Sequence, residues 1–389
     1  MLELTVAVPP DLAEEFEKKL AYVAEDLTRA SYDWRGGRVR LEFTDASGIS
    51  PEIVEPRVRE IASKLTALFQ PGFRRSLVRH ERRPHGFRSD PHPILLREGE
   101  LKEFGPGRLG LGPRLVALLQ ALDSLVLERF GRFEASAHQF PSLISGEVLD
   151  RCRYLRNFPA SLTLVTHLRE DLAILQRFAS QVRWVEGRLD VLPEAPSPFS
   201  VLLAPSVCFH WYAWLGGETL TRARTITALG KCFRYESTTL SGLERLWDFS
   251  MRELVFAGDA EQVLNWRTAI LETARLLLEE LDLDFEIATA TDPFFVDSFA
   301  GQAAFQRGFE LKYELLCTLP YRGNQLAVGS INYHQDFFGR SFAIDVDGSP
   351  SHTACIGFGL ERLALAVLAQ HGTDSGSWPH TLRSRSASS

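Results

Sequence analysis

The sequence predicts an α+β protein built from two unequal parts, and three observations lead there. The first 70 residues follow a β-α-β-β-α order of apolar patterning. A run of leucines at helical spacing from Leu115 opens a second and much larger part. Residues 224–256 then read as a long strand–loop–strand hairpin with alternating apolar positions. At 389 residues the chain has room for one large domain, an appendage and a substantial core.

In the first part (residues 1–70), Leu4, Val6 and Val8 alternate like a strand, and Asp11 is placed to cap a helix reaching about Glu25. The Gly36–Gly37 pair supplies the positive φ of a hairpin, and Val39, Leu41 and Phe43 alternate on its exit strand. A second helix is expected from Glu52 to Phe69, with Ile53, Val58, Ile61, Leu65 and Leu68 inward. Residues 71–114 read as a Pro- and Arg-rich linker with little regular structure, carrying Pro71, Pro84, Pro91, Pro93, Pro106 and Pro113. Its six arginines between Arg74 and Arg88 read first as a solvated connector, and second as a docking strip for an acidic partner or nucleic acid. The main domain is expected over 115–375, opening on Leu115, Leu118, Leu119, Leu122, Leu125 and Leu127. Residues 376–389, ending in a Ser-rich run, read as a disordered tail.

Hydrophobic content of 45%, charged content of 24% and a net charge of −7 fit an ordinary globular protein and argue against a general polyanion binder. No apolar stretch approaches the roughly 20 residues needed to span a bilayer, and no signal-peptide pattern opens the chain. The five cysteines, at 152, 208, 232, 317 and 355, are odd in number and widely spaced. That pattern argues against a disulfide framework and for a reducing cytoplasm.

Two short motifs carry the chemistry. Phe233-Arg234-Tyr235-Glu236 ends the first strand of the long hairpin, and Gly357-Phe358-Gly359-Leu360-Glu361-Arg362 joins a strand to a helix. Each Arg offers a planar fork that matches phosphate bidentately, which Lys cannot do. In this order the pair resembles motifs 2 and 3 of the class II aminoacyl-tRNA synthetases. The resemblance implies their catalytic domain, an antiparallel sheet flanked by helices, and binding of ATP. It implies Arg234 at the α-phosphate, Glu236 beside the adenine amino group, Arg245 toward the outer phosphates and Arg362 at the γ-phosphate. Pro141, after the long helix, matches the proline that ends motif 1 near the dimer interface, which implies a homodimer.

Further segments narrow the resemblance to the seryl-tRNA-synthetase-like amino acid:[carrier protein] ligases and the methanogen-type seryl-tRNA synthetases, over about residues 133–372. They are Phe140-Pro141-Ser142-Leu143-Ile144, Tyr154-Leu155-Arg156-Asn157-Phe158-Pro159, Glu244-Arg245-Leu246-Trp247-Asp248-Phe249, Asp292-Pro293-Phe294-Phe295 and Asn332-Tyr333-His334-Gln335-Asp336. Both groups hold a zinc through Cys, Glu and Cys at places matching Cys208, Glu253 and Cys355, a set that leaves one tetrahedral position open for a substrate amine. Glu253 is also able to pair with Arg252, or to bind the substrate ammonium directly. Cys152, Cys232 and Cys317 read as small buried hydrophobes. Ser330 and Asn332 are expected to shape the amino-acid pocket. His334, Gln335 and Asp336 either line it or form a structural cluster.

The acid that would hold Mg2+ has no clear motif, with Asn324, Gln325 and Glu314 near the place. The ligases adenylate a small amino acid and pass it to the phosphopantetheine thiol of an acyl or peptidyl carrier protein. They lack the coiled-coil arm that grips tRNA, and residues 1–70 hold no sustained heptads either. The resemblance thus implies glycine or alanine as substrate, a carrier protein as partner and no tRNA. A seryl-type tRNA synthetase and a catalytically inactive regulatory paralogue are the competing readings. An amphipathic helix over Phe294–Phe309 is expected either to pack in the core or to join a carrier-protein dock.

Overall fold

Residues 1–44, 51–66, 75–81, 87–290 and 310–386 are described by the computed structural model. The expected Phe294–Phe309 helix, Asp292–Phe295, Arg74, Arg82 and Arg83 lie outside the described residues. Strand β1 (Leu2–Thr5), helix α1 (Ala13–Leu20), strands β2 (Leu27–Asp33) and β3 (Arg38–Phe43) and helix α2 (Pro51–Thr66) follow the expected order. The strands form one antiparallel sheet with β3 in the centre. Gly37 has a φ of 62°, which an L side chain rarely adopts, and so makes the β2–β3 turn. Helix α1 is shorter than expected. Asp11 falls in a single 3-10 turn, Pro10–Leu12, ahead of it, and the chain leaves the helix at Ala21 to bury Val23 and Leu27. On α2 the buried face is Val54, Val58, Ala62 and Leu65, while Ile53 faces solvent. The inward stripe is thus one residue out of register with expectation at its start.

The stretch read as a linker carries regular structure. It holds strand β4 (Ser76–His80), helix α3 (Pro91–Arg97) and the hairpin of β5 (Leu101–Glu103) and β6 (Leu109–Leu111). Prolines that suggest a break here start an element instead: Pro91 opens α3 behind Asp90, whose side chain accepts from the His92 N–H at 3.0 Å.

Helix α4 (Pro113–Arg129) and strand β7 (Ser136–His138) follow. After an excursion through residues 139–207 come α5 (Cys208–Trp214), β8 (Arg224–Phe233), β9 (Asp248–Gly258) and α6 (Ala260–Glu280). Strands β10 (Phe285–Thr289), β11 (Lys312–Leu319) and β12 (Asn324–Gln335) are next. Helix α7 (Phe337–Phe342), strand β13 (His352–Gly359) and helices α8 (Leu360–His371) and α9 (His380–Ser386) complete the described chain.

Among the described residues the main sheet has eight strands in the order β4-β10-β11-β12-β13-β9-β8-β7, antiparallel throughout except for β8 with β7. Its helix-covered face is apolar: Leu254, Phe256, Ile287, Leu315, Ile331, Ile356 and Phe358 pack with residues of α4, α6 and α8. Four of the six leucines expected to open this domain, Leu115, Leu118, Leu122 and Leu125, are buried there, while Leu127 is exposed. The expected tail joins this core through residue 386, because Trp378 and Leu382 are apolar enough to be buried against it. The opposite face of the sheet is roofed by α5 and α7, where Cys208, Trp211, Tyr212, Phe338 and Cys355 share a second buried cluster.

Candidate active site and metal centre

Strand pairing lines up the site. Across β11, β12, β13, β9 and β8, Glu314, Ser330, Gly357, Glu253 and Ala228 stand in one row, and Lys312, Asn332, Cys355, Val255 and Ile226 in the next. Side chains of alternate residues share a face, so Glu253, Cys355, Ser330 and Asn332 all point the same way. Cys208, the first residue of α5, is laid over them. One ligand atom from each of Cys208, Glu253 and Cys355 lies within 4.8 Å of the others, and all three residues are buried. Gly357 leaves room between them: a Cβ there would sit 3.4 Å from Glu253 Cγ and 3.2 Å from Met251 Sδ.

Burial, and then the negative charge of Cys355, push the Glu253 carboxyl up to about 8, against hydrogen bonds from Ser206 and the Cys208 main chain. The two sulfurs titrate as one unit. A hydrogen bond from Cys208 holds Cys355 below the usual thiol range, and the same bond holds Cys208 above it. Glu253 Oε1 accepts from Ser206 Oγ at 3.1 Å, but Oε2 is buried and has no hydrogen-bond partner. A buried carboxylate with one orphaned oxygen, clustered with two cysteines, fits a borderline-soft divalent cation with N, O and S preferences, as zinc is.

The alternative pairing of Glu253 with Arg252 does not form. Neighbours on a strand face opposite ways, and Arg252 makes a two-pronged ion pair with Asp123 of α4 at 2.6 and 2.7 Å on the core side. Cys152, Cys232 and Cys317 are free and buried in apolar surroundings, and burial raises all three thiols, Cys152 to about 12.

Arg234 follows β8 on the metal-site face. Its Nε donates to the Pro205 carbonyl at 3.0 Å, and its guanidinium lies 5.4 Å from the centre of the Phe249 ring. Arg362, in the first turn of α8, donates to the carbonyls of Glu244 (2.6 Å) and Ala327 (3.3 Å). Among the described residues neither guanidinium has a carboxylate within 4.0 Å, and burial lowers Arg362 from its usual range. An added anion would reverse that shift. Glu236 and Arg245 pair with each other at 3.0 Å across the loop. The N-terminal unit reaches this loop, since burial, and then the charge of Glu236, push the Tyr22 hydroxyl up to about 12.

From below, the loop is braced by the supposed linker, where the Gly107 carbonyl accepts from Trp247 N at 3.0 Å. Glu361 is buried and accepts the Ser250 N–H with both oxygens at 2.9 Å, so the second motif holds the return strand of the first.

Asn332 Nδ2 lies 3.1 Å from Ser330 Oγ and 3.7 Å from Cys355 Sγ, so both residues border the cluster of Cys208, Glu253 and Cys355. His334 joins them, with Nε2 3.8 Å from Cys355 Sγ and Nδ1 3.1 Å from Thr353 Oγ1. Asp336 instead pairs with Arg340 on α7 at 2.7 Å. Glu314 faces Ser330 across β11 and β12, with Lys312 Nζ at 3.2 Å. Ser206 went unread in the sequence; its position two residues before Cys208 was the available signal.

No protein-family model matches the chain. Amino acid–[acyl-carrier-protein] ligase 2 of Bradyrhizobium diazoefficiens is 34% identical over 252 residues, covering 63% of this chain and 72% of that one. The type-2 serine–tRNA ligase of Methanopyrus kandleri is 30% identical over 313 residues, covering 74% of this chain and 58% of that one. Among solved structures, M. kandleri SerRS in complex with A. aeolicus tRNASec superposes with a TM-score of 0.72 at 25% identity. That match covers 98% of this chain and 76% of the other.

Proposed function

Because the chain belongs to the family of amino acid–[acyl-carrier-protein] ligases, with the class II catalytic fold of seryl-tRNA synthetases, we propose that it activates a small amino acid with ATP and loads it onto a carrier protein. Glycine or alanine is the expected substrate, and Ser330 and Asn332 shape its pocket. The substrate carboxylate attacks the α-phosphorus, the bond to the β-phosphate oxygen breaks, and pyrophosphate leaves. The phosphopantetheine thiolate then attacks the carbonyl carbon of the adenylate, forming the thioester and releasing AMP.

The observation that carries this reading is one pocket holding two unmet demands. Glu253 Oε2 lacks a partner in a cluster with two cysteines, and Arg234, tied to the same Pro205–Cys208 turn, has no carboxylate within 4.0 Å among the described residues. Cys208, Glu253 and Cys355 would hold zinc, which when bound supplies a Lewis-acid site for the neutral α-amino group of the substrate. Arg234 faces the α-phosphate, where its charge acts as negative charge develops in the transition state. Arg362 takes the γ-phosphate. Glu236 sits beside the adenine, and Arg245 turns from Glu236 toward the outer phosphates. Glu314, on the site face opposite Ser330 and beside Lys312, would be the acid to hold Mg2+.

A homodimer completes the reading. The segment beyond edge strand β7, through Pro141, exposes Leu143, and nearby Trp214 is exposed beside Phe140. Five free cysteines suit a reducing cytoplasm. Among the described residues no helix is long and apolar enough to cross a membrane.

Charging of tRNA is the second reading, favoured because the likeness to the M. kandleri structure extends over 98% of this chain. Labelled amino acid and ATP, offered with holo-carrier, apo-carrier or total tRNA, separate the two. Label held as a thioester on the holo form alone supports the ligase, and label on tRNA but on no carrier refutes it. Amino-acid-dependent pyrophosphate exchange across the standard amino acids identifies the substrate.

A further inference from the structure

We propose that Ser206 is a positioning residue of the metal centre, holding one oxygen of Glu253 so that the other alone is offered to the ion. This rests on reading Cys208, Glu253 and Cys355 as metal ligands. Ser206 is 7% exposed, and its Oγ donates to Glu253 Oε1 at 3.1 Å. Cys208 Sγ lies 3.1 Å from the same Ser206 Oγ. One short side chain therefore fixes two ligands relative to each other. The Cys208 main-chain N–H also holds Glu253, whose own carbonyl accepts from Thr227 Oγ1 at 3.0 Å, while Asn332 Nδ2 at 3.7 Å and His334 Nε2 at 3.8 Å flank Cys355.

A hydroxyl has a single proton to give. At Ser206 it goes to Oε1, and the buried Oε2 is left without a partner. A carboxylate free at both oxygens can chelate an ion through both and fill a position that a substrate amine needs. Tethered at Oε1, Glu253 binds through Oε2 alone, and the ion keeps an open position, as a substrate-binding zinc requires. The turn that carries Ser206 also anchors the nucleotide arginine, since Arg234 Nε donates to the Pro205 carbonyl at 3.0 Å. Ser206 therefore registers the metal ligands against the group that faces ATP.

The test uses the full chain as wild type, Ser206→Ala and Ser206→Thr, each stripped of metal and titrated with zinc against a chromophoric chelator. Wild type should take up about one ion per chain. Loss of a hydrogen bond to a ligand typically weakens metal binding about 10–100-fold, which is the change expected for Ser206→Ala. Ser206→Thr, which keeps the hydroxyl, should recover most of that affinity. Cobalt(II) supplies a second readout. In Ser206→Ala the visible d–d bands should lose intensity as the carboxylate takes up two positions, while the sulfur-to-cobalt bands in the near ultraviolet persist. Wild-type affinity together with a wild-type cobalt spectrum in Ser206→Ala overturns the role of Ser206 and leaves the metal ligands standing. Equal loss in both variants overturns it too, since the hydroxyl is then not responsible. A wild-type chain that binds neither ion overturns both readings.

Discussion

Arg252 and Glu253 are consecutive, ionisable and buried, yet they stand on opposite faces of one sheet and have opposite fates. Arg252 meets Asp123 with two hydrogen bonds and a third contact from its Nη1 to Thr227 Oγ1 at 3.3 Å. Glu253 keeps one oxygen without any partner. A buried charge whose bonding capacity is filled by its own chain fastens one element to another. A buried charge left short reserves that capacity for something from outside. Arg234 and Arg362 fall on the second side of this divide, since carbonyls hold them and no carboxylate among the described residues lies within 4.0 Å of either guanidinium.

The divide can be broken experimentally, and its sharpest test is Cys355→Ala. That change should abolish both bound metal and amino-acid-dependent pyrophosphate exchange while leaving the melting of the metal-free chain near wild type. Retention of a full equivalent of zinc would remove Cys355 from the ligand set. Next in size is Arg234→Ala, for which turnover should fall about 10²–10³-fold with a smaller change in apparent ATP affinity. Pyrophosphate exchange at the wild-type rate in that variant would contradict its assignment to the α-phosphate.

Arg252→Met sharpens the comparison from the other face. Leaving Asp123 half-buried and alone should cost up to about 3 kcal/mol of stability, read from denaturant unfolding, with zinc content unchanged. Replacing Asp123 by Leu in the same chain should restore much of the loss, and a double variant as unstable as the single one would argue against the pair.

The smallest expected effect is on pH. The Glu253 carboxyl is raised from its ordinary 4.5 to about 8 in the folded metal-free chain. Its favourable contribution is therefore fully present below about pH 4.5 and fades as pH rises through 8. Metal-free protein should lose stability across that window relative to a Glu253→Gln variant, in which the titrating group is gone. Parallel pH profiles for the two chains would show that Glu253 does not titrate there.

The two arginine motifs were legible in sequence because each is contiguous and sits at a strand end, where local pattern and chemistry coincide. The candidate metal triad was proposed only through resemblance. Its members are brought together by the β9–β13 pairing of Val255 with Cys355 and by the placement of α5, neither of which leaves a local trace. Short elements were misread for a related reason. Strand β4 is ordered by pairing with β10, and α9 by burying Leu382, so their stability is tertiary while their composition is that of a linker and a tail. Ser206 escaped because a serine beside a turn has too many ordinary uses to stand out.

Strand β7 joins the sheet parallel to β8, so the chain cannot turn straight back and instead makes the excursion that carries Cys208. Two members of the triad, Glu253 and Cys355, lie on strands that are already paired, whereas the third arrives at the end of that long loop. Closing an excursion of this length carries an entropic penalty, offset in part by its own strand pairing and by burial of Ile144, Leu149 and Leu202 beside Cys208. An ion gripping Cys208 together with the paired strands would act as the clasp of that loop. Loading the metal would then slow amide exchange first in residues 139–223, far more than in the sheet it closes upon.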